Sequence, residues 1–385
     1  MPVILNNRRL KSRQSATALV GKHIRDLILA RGLKPGTLLP TYYELCAELG
    51  IAYLTVKRGM DVLEAEGIIR RVPSKGTFVV KDLRRQPRPL SSVFLAFPFS
   101  LNTVLMQDYT LDIVRGALGA LAETGNNGKL HSLVGEGLLY ADNLGAHTGG
   151  LLFTGVENDS YLRMVAGWGT PAVALDYCSD SVPMDFVACD NPAAARQVVK
   201  HLAGLGHRRI AYLGDAEAYT IRPPARPEES LVLKSSDKRE RREGVREALA
   251  ELGLPPPVET VLAPFTTASQ RSGAVGQVAA DWFADRKSAP TAVVTSDDSC
   301  AEALIAHLGR MGLRVPEDVS VCTLACADTH RHPGLTHCRF DFAAMGRKGV
   351  DLLREHCRCP VEPVNRIHRI GFEWVEGRST RGARA

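Results

Sequence analysis

The sequence predicts an α/β protein in which a small winged helix-turn-helix domain precedes a larger domain built on parallel sheets. Three helical segments and a hairpin follow one another within residues 1–80, which is the order of a winged helix. From Ser91 onward, short apolar runs alternate with helical patterns, as in a parallel sheet covered by helices on both faces. We therefore expect a winged-helix domain at 1–80, a linker at 81–90 and a second domain at 91–375.

Charge divides the chain in the same way. The 385 residues carry a net charge of +6, with 17 Lys and Arg against 7 Asp and Glu in residues 1–90 and a net charge of −4 in the rest. A basic segment joined to a mildly acidic one indicates an anionic polymer partner for the first segment only. A charged surface without any partner is the alternative interpretation.

The first helix is predicted over residues 15–31, because its apolar residues recur at helical spacing, and Gly32 is expected to end it. A second helix begins after Thr41, which forms the pattern of a capping box with Glu44. A third helix is expected at about 53–66, with one buried stripe of apolar side chains. The other face of this third helix carries Tyr53, Thr55, Lys57 and Arg58.

A hairpin completes the first domain. Short strands at 68–72 and 77–80 flank the turn Pro73-Ser74-Lys75-Gly76. In winged helices the third helix enters the DNA major groove, and a basic hairpin tip can reach phosphates or the minor groove.

Sequence motifs over residues 15–80 resemble the GntR family of bacterial regulators. The resemblance rests on Leu38-Leu39-Pro40-Thr41, Leu63-Glu64-Ala65-Glu66-Gly67 and Lys75-Gly76-Thr77-Phe78-Val79, among other runs. It implies DNA binding. The family's usual arginine contacts are replaced by tyrosines, so the base preference is expected to differ. The DNA contacts that we expect are Thr41, Tyr43, Tyr53, Thr55, Lys57, Arg58, Lys75 and Gly76, although capping or packing would explain Thr55 and a surface aromatic would explain Tyr53 equally well.

Beyond residue 80 the chain first becomes polar, basic and proline-containing, which suits an extended spacer at 81–90. Strands of the second domain are then predicted at 93–97, 150–153, 172–175, 186–188, 210–213, 258–262, 292–295 and 319–324. Helices are predicted at 109–124, 192–204, 239–252, 270–285 and 299–311.

Three segments of this second domain resemble the LacI family of sugar- and purine-sensing repressors. They are Phe186 to Leu213, Arg241 to Leu249 and Ala289 to Val321, and the likeness covers about 91–355. It implies a periplasmic-binding-protein-like architecture of two lobes joined by three chain crossings, with a ligand in the cleft. A GntR-type head on a LacI-type core is the layout of the bacterial arabinose repressor group.

Sugars suit such a cleft, because carboxylates accept hydrogen bonds from hydroxyls, guanidinium groups donate them, and aromatic faces pack on C–H surfaces. The resemblance implies effector contacts from Asp176, Arg241 and Asp298. Structural roles stay open for all three: a helix or turn cap, a surface ion pair and an N-cap, respectively. Further aromatic candidates are Phe265, Trp168 and Tyr109.

Three departures from the family pattern leave the identity of the effector open. The segment between the first helix of this domain and Gly149-Gly150 looks shorter than usual, residues 216–238 look like an added loop, and Ala325-Cys326-Ala327 stands where the family usually has an acidic residue. All three lie near the place of a ligand or its lid, so a domain that no longer binds an effector and only dimerises is an alternative.

Other functional classes find less support. The cluster Cys322, Cys326, His330, His332, His337 and Cys338 offers natural zinc ligands but matches no common zinc spacing, so we expect neither a metal nor another cofactor. The chain has no nucleophile elbow and no phosphate-binding loop, so we expect no enzyme. The start of the chain has no apolar signal segment and no run approaches about 20 apolar residues, which predicts a cytoplasmic protein without membrane spans and argues against a transport-type solute-binding protein.

Together these observations predict a DNA-binding transcription regulator, with repression as the default. We expect a homodimer that binds a palindromic operator on double-stranded DNA, and a small-molecule effector, a carbohydrate, that controls its affinity.

Overall fold

The computed structural model describes residues 16–383 apart from 32, 84–88, 107, 142–143, 145–147, 223–229, 265–266, 327–333 and 361–363. Several sequence predictions therefore lie outside the described residues: the helix stop at Gly32, the aromatic candidate Phe265, half of the linker, and Ala327, His330 and His332. The described chain forms a small N-terminal domain of helices and a hairpin and a larger α/β domain that is divided into two lobes.

The N-terminal domain has the helix order and the hairpin expected of a winged helix. Its elements are α1 (Ala16–Ala30), α2 (Tyr42–Leu49), α3 (Tyr53–Ala65), β1 (Ile69–Val72) and β2 (Gly76–Val79). The two strands pair antiparallel. One apolar cluster joins the three helices to the hairpin and also contains Leu83, so this domain extends slightly beyond its predicted end at residue 80.

Local backbone chemistry fixes the start and the end of α2. The Glu44 backbone N–H donates to Thr41 Oγ1 at 3.3 Å, and the Thr41 backbone N–H donates to Glu44 Oε2 at 2.7 Å, so the predicted capping box is confirmed. The helix ends at Gly50, whose φ of 64° lies in the left-handed region that glycine adopts without steric cost. These two caps set the short turn that places α3 against α1.

The larger domain alternates strands and helices. Its first segments are β3 (Ser92–Phe97), α4 (Leu101–Met106), α5 (Asp108–Ala122), β4 (Asn127–Ser132), α6 (Leu133–Glu136), β5 (Thr148–Thr154), α7 (Asp159–Ala166), β6 (Ala172–Leu175) and β7 (Asp185–Cys189). The middle segments are α8 (Asn191–Gly204), β8 (Ile210–Gly214), β9 (Ala218–Ile221), β10 (Leu231–Lys234), α9 (Ser236–Glu251), β11 (Val258–Val261), α10 (Ala268–Trp282), β12 (Ala292–Thr295) and α11 (Asp298–Arg310). The last are β13 (Ser320–Cys326), β14 (Thr336–Phe340), α12 (Phe342–Arg358), β15 (Arg366–Ile370) and β16 (Phe372–Val375).

Two six-stranded sheets define two lobes. The first lobe is built on the order β15-β7-β6-β5-β3-β4, in which all neighbours are parallel. The second lobe is built on β11-β8-β12-β13-β14-β16, in which only the β14–β16 pair is antiparallel. Strands such as β6 and β7 are buried on both faces, which is why their residues are almost all apolar.

The chain crosses between the lobes three times, as the sequence resemblance implies. The crossings lie between β7 and α8, between β14 and α12, and between β15 and β16. Two of them are marked by helix caps: Asp190 accepts from the Ala193 backbone N–H at 3.1 Å, and Asp341 accepts from the Ala344 backbone N–H at 2.7 Å. The cleft between the lobes is therefore bordered by helix starts.

The domain continues past its predicted end at residue 375. The Val321 backbone N–H donates to the Ser379 carbonyl at 2.8 Å, and the Ala383 backbone N–H donates to the Leu205 carbonyl at 2.8 Å. The last described residues thus belong to the second lobe.

A hairpin of β9 and β10 occupies the segment that the sequence presents as an added loop. By connectivity it belongs to the second lobe, since it follows β8 and precedes α9. Its side chains Ile221 and Leu233, however, are 7% and 0% exposed and pack in the apolar cluster of the first lobe. The Lys234 backbone N–H also donates to the Glu157 carbonyl at 2.8 Å. We call residues 218–234 the inter-lobe hairpin.

A buried carboxylate joins three basic side chains at the start of β7. Asp185 is 1% exposed and accepts hydrogen bonds from His356 Nε2 at 2.6 Å, from Arg366 Nε at 2.8 Å and from His368 Nε2 at 2.8 Å. These partners come from α12 and from the edge strand β15. The network therefore links α12 and β15, which come late in the chain, to β7 of the first lobe.

Helices α5 and α12 pack closely because glycines face each other where they cross. A Cβ on Gly346 would lie 2.1 Å from the Ile113 carbonyl oxygen, and a Cβ on Gly116 would lie 2.0 Å from the Ala343 carbonyl oxygen. Neither backbone oxygen can move aside as a side chain can. The first lobe therefore requires the absence of a side chain at this crossing.

We expect Gly346→Ala to lower the free energy of unfolding by about 2 kcal/mol, because the new methyl group must push the two helices apart. Urea denaturation of the full-length chain measures the change. The matched control is Gly119→Ala on α5, where a Cβ meets nothing within 4 Å, and this variant should be neutral or slightly stabilising. Equal midpoints for both variants would contradict the close crossing.

Candidate functional site

The exposed face of α3 presents two basic side chains. Lys57 and Arg58 are exposed, and neither is joined to a carboxylate in the described structure, whereas Thr55 is half-buried. By contrast, Arg71 of the hairpin is held by Asp61 at 2.6 Å and by Glu64. Arg71 thus forms ion pairs within the domain, whereas Lys57 and Arg58 are available to bind an anionic ligand.

Three tyrosines group at the start of α3. The ring centroids of Tyr43 and Tyr53 are 5.8 Å apart, and those of Tyr42 and Tyr53 are 5.5 Å apart. Tyr43 is 79% exposed and Tyr53 is 44% exposed, so both sequence-predicted tyrosines are accessible. Tyr42, which was not among the residues predicted from the sequence, accepts a hydrogen bond from Arg71 at 3.2 Å while its ring contacts Tyr53.

The hairpin tip adds a third exposed element. Lys75 and Gly76 are exposed, and Gly76 has a φ of 111°, a conformation that other residues rarely adopt. Arg70 is exposed on β1 as well, although the sequence reasoning did not select it. The Thr41 hydroxyl is committed to the capping box, where it also donates to Glu44 Oε2 at 2.9 Å. Its role as a DNA contact stays a prediction.

A second group of polar side chains is buried between the lobes, with Arg241 at its centre. Arg241 lies on α9, is 6% exposed and donates from Nε to Asn191 Oδ1 at 3.0 Å. It also donates to the Ser296 carbonyl at 3.2 Å and pairs with Asp237 at 3.1 Å. Arg241 is therefore an interior residue, so the surface ion pair that the sequence left open is wrong.

Asp176 ends β6 in a strained conformation. Its φ is 58°, which costs a residue with a side chain on the order of 1 kcal/mol and is often found at ligand sites. The side chain is 9% exposed, and no group in the described structure donates to its Oδ1. Burial, and then repulsion from Asp237, raises the pKa of Asp176 to about 8.

Glu157 is a buried carboxylate that the sequence reasoning missed. It follows β5, is 4% exposed, and its Oε1 accepts from Ser235 Oγ at 2.9 Å. Burial raises the pKa of Glu157 well above its ordinary value, and the neighbouring Asp237 and Asp176 raise it further. Nothing in its local sequence signals this role, because its partners lie on α9 and after β6.

On the second-lobe side, Arg271 joins two carboxylates. Its guanidinium lies 2.9 Å from Asp215 Oδ2 and 3.8 Å from Asp297 Oδ1. Asp297 is the N-cap of α11, since it accepts from the Cys300 backbone N–H at 2.9 Å. Asp298 is the first residue of that helix, so the N-cap role that the sequence offered for Asp298 belongs to its neighbour.

The aromatic candidates are separated in the structure. Tyr109 lies on α5 near the buried carboxylates, because Asp176 and then Asp237 and Glu157 add to the rise in its pKa that burial causes. Trp168 is 8% exposed and packs in the apolar cluster of the first lobe with Phe153 and Leu162, so the structure gives it a core position apart from the polar group.

The described members of the cysteine and histidine cluster lie at separate positions in the protein core. Cys322 and Cys338 lie on neighbouring strands and are fully buried, and burial raises the pKa of both thiols. His337 Nδ1 bonds to the Leu335 carbonyl at 2.8 Å. Across the described ranges, no helix has both the length and the apolar character that crossing a bilayer requires.

Comparison with known families matches the two domains separately. The gntR family of bacterial regulatory proteins matches residues 17–79, and the periplasmic binding protein-like domain matches residues 199–380. The first range contains α1 to β2, and the second contains most of the second lobe together with α12.

Two relatives match this chain over most of their own length. The chain is 26% identical to an HTH-type transcriptional regulator of Mycobacterium tuberculosis over 88% of this chain and 96% of the relative. It is 25% identical to the arabinose metabolism transcriptional repressor of Geobacillus stearothermophilus over 86% of this chain and 88% of the relative.

Among solved structures, the lac repressor dimer bound to operator and the anti-inducer ONPF shares the fold. The TM-score is 0.59 at 21% identity, over 76% of this chain and 94% of that one. Residues 17–79 thus match the gntR family of bacterial regulatory proteins, residues 199–380 match the periplasmic binding protein-like domain, and the chain that joins them is a DNA-binding transcriptional regulator.

Proposed function

We propose that this regulator is a cytoplasmic homodimeric repressor that binds a palindromic operator and is released when a carbohydrate occupies the cleft between its lobes. The observation that carries the proposal is Arg241, a buried guanidinium that links α9 to the crossing at Asn191 and to the end of β12. Guanidinium and carboxylate groups at such a junction suit a polyhydroxyl ligand, because they donate to and accept from its hydroxyls.

Two comparisons support the finer features. One relative is named for arabinose metabolism, which supports a sugar as the effector. The lac repressor of similar fold is a dimer on its operator, which supports a dimer here, and two DNA-binding domains related by a twofold axis match two half-sites. The cleft carboxylates are proposed as ligand contacts, and no catalytic role is assigned to them.

For DNA, we propose that side chains of α3 lie in the major groove and that the hairpin tip contacts the backbone. Lys57, Arg58 and Lys75 would supply phosphate contacts, because they are exposed cations. Tyr43 and Tyr53 would lie at the protein–DNA boundary, where their rings can pack on sugars or thymine methyl groups. Thr41, Thr55 and Gly76 complete the proposed contact set.

For the effector, we propose contacts from Asp176, Arg241, Asp298 and Tyr109, together with Glu157. Binding would shift the lobes and so the separation of the two DNA-binding domains. Such coupling requires the ligand to prefer one lobe arrangement, by about 1–3 kcal/mol in typical regulators.

The test is a thermal-shift screen of the full-length protein against mono- and disaccharides and sugar acids, followed by operator release. The operator is a duplex selected by the wild-type protein from a random pool. We expect Arg241→Lys to weaken effector binding at least about tenfold, because a single ammonium keeps the charge beside Asp237 but loses the forked donors. Operator binding without effector should stay unchanged.

The matched control is Arg310→Gln, which removes an exposed cation from the far end of α11. It should bind both effector and operator like the wild type. If no compound shifts the melting temperature or releases the operator from folded protein, the large domain serves only to dimerise the chain and the effector proposal is wrong.

A further inference from the structure

The cleft contains more buried carboxyl groups than its cations pair. Glu157, Asp176 and Asp237 are 4%, 9% and 8% exposed; Asp237 and Asp176 both disfavour a charge on Glu157, and Asp237 disfavours a charge on Asp176. Arg241 contacts only Asp237 among the three, and its remaining donors serve Asn191 and the Ser296 carbonyl. Two buried carboxylates are thus left without a paired cation in the described structure.

Hydrogen bonds from the protein do not satisfy the oxygens of Glu157 and Asp176 that no cation contacts. The Ser235 hydroxyl lies within bonding distance of both Glu157 Oε1 and Asp237 Oδ1, but one hydroxyl proton can serve only one of them at a time. Glu157 Oε2 and Asp176 Oδ1 are buried and receive no hydrogen bond from any described group. A buried polar oxygen without a partner is costly, and a buried charge without one is costlier still.

Charged and titratable groups surround these two carboxyls from several elements. Lys238 on α9 adds positive charge, although it forms no ion pair with either of them in the described contacts. The groups that interact electrostatically with Glu157 or Asp176 are Tyr109 on α5, Cys189 on β7, Tyr219 on β9, and Asp237, Lys238, Glu240 and Arg241 on α9. Glu240 is itself neutralised by Arg369.

We infer that the effector carries a protonated amine beside its hydroxyl groups, and that Glu157 and Asp176 bind this amine. This inference rests on the proposed function, since it assumes that the cleft is the effector site. An ammonium group has three donors and one positive charge, so it satisfies both unpartnered oxygens and neutralises their repulsion at once. A neutral sugar would supply donors but no positive charge, so it would not stabilise the carboxylate form of either group.

The aromatic neighbours fit the same ligand class. Tyr109 and Tyr219 both interact electrostatically with the two carboxyls, and tyrosine rings attract cations as well as the C–H surfaces of sugars. The ligand class is therefore a small polyhydroxylated amine, such as an amino sugar.

Proton release distinguishes this ligand from a neutral one. Burial raises the pKa of Glu157, and it raises that of Asp176 to about 8, so at pH 6.5 Asp176 is largely protonated in the free protein. A ligand ammonium binds the carboxylate form and must therefore expel protons to solvent. A neutral sugar binds without this release.

The experiment is isothermal titration calorimetry on the full-length protein at pH 6.5, in two buffers of different ionisation enthalpy. The probes are glucosamine, galactosamine and mannosamine, each with its neutral parent hexose and its N-acetyl derivative. We expect one amine to bind at least tenfold more tightly than both of its neutral counterparts and to release protons on binding.

Two variants assign the preference to the carboxyls. Glu157→Gln and Asp176→Asn should each reduce the preference for the amine over its neutral parent at least tenfold, and both should keep the wild-type melting temperature because each replaces a carboxyl with a neutral amide of the same shape. The control Asp281→Asn removes an exposed carboxylate on α10 and should leave the preference unchanged.

The outcomes separate the two proposals. A neutral hexose that binds as tightly as its amine, without proton release, overturns the amine inference and leaves the effector role intact. A preference for the amine that survives both variants also overturns it. Folded, operator-binding protein that binds no sugar of either kind counts against the inference and the effector proposal together.

Discussion

Replacing Lys57 and Arg58 together with alanine should lower operator affinity about 100-fold at physiological salt, as expected when two phosphate contacts are lost. The slope of log affinity against log salt should fall by about 2, since each neutralised phosphate contributes about 0.9. Both side chains are exposed on α3, outside the apolar cluster of the domain, so the fold should be unaffected. Fluorescence anisotropy with the selected duplex at several salt concentrations measures both quantities.

The chain offers a matched control for this loss of charge. Arg286 and Lys287 form another exposed Arg–Lys pair, located after α10 in the second lobe. Their double alanine variant removes the same charge from the protein but should change neither the affinity nor the slope. An unchanged slope in the α3 variant would show that another surface contacts the phosphates.

Asp185→Asn is expected to lower the free energy of unfolding by about 3 kcal/mol, because it leaves the cation of Arg366 and two histidines around a neutral amide. Burial by itself would raise the pKa of Asp185, but the hydrogen bonds from His356, Arg366 and His368 outweigh it and hold this pKa well below its ordinary value. The carboxylate therefore stabilises the fold at all pH values above its unfolded pKa, near 4.

The sign of the pH dependence follows from this depressed pKa. As the pH falls below about 4, the unfolded chain takes up a proton that the folded chain refuses, so the wild type loses stability there. Asp185→Asn should lack this part of the acid loss. Urea denaturation at pH 7, 4 and 3 measures it, and Asp351→Asn, which breaks an exposed pair with Arg354, should behave like the wild type. Parallel pH profiles for both variants would be inconsistent with the network.

Much of the fold could be predicted because its elements carry strong local patterns. The capping box at Thr41 and the continuous apolar runs of β6 and β12 define their elements without any tertiary information. Elements that the sequence did not reveal have weak patterns for identifiable reasons. β15 is rich in arginine and histidine because it is an edge strand, and α12 contains two glycines that lower helix propensity, of which Gly346 allows it to approach α5.

The cleft was predicted less completely than the fold. Arg241 and Asp176 were expected from resemblance, but Glu157 and Asn191 acquire their roles only through partners far along the chain. Ser235, which bonds Glu157, is 78 residues away, and Arg241, which bonds Asn191, is 50 residues away. No periodicity or short motif records such pairs. Trp168 was expected to contact the effector but lies in the apolar core of the first lobe. The local sequence around a bulky aromatic residue does not distinguish a packing role from a ligand contact.

The inter-lobe hairpin has a consequence for how often the cleft is open. If the lobes separate, Ile221 and Leu233 must leave the apolar cluster of the first lobe, and exposing two such side chains costs roughly 3–6 kcal/mol. At equilibrium this cost alone keeps the open population below about 1%. Exchange of any molecule held in the cleft would then proceed through a rare state, so the dwell time of the signal depends on an apolar contact that touches neither the ligand nor the DNA.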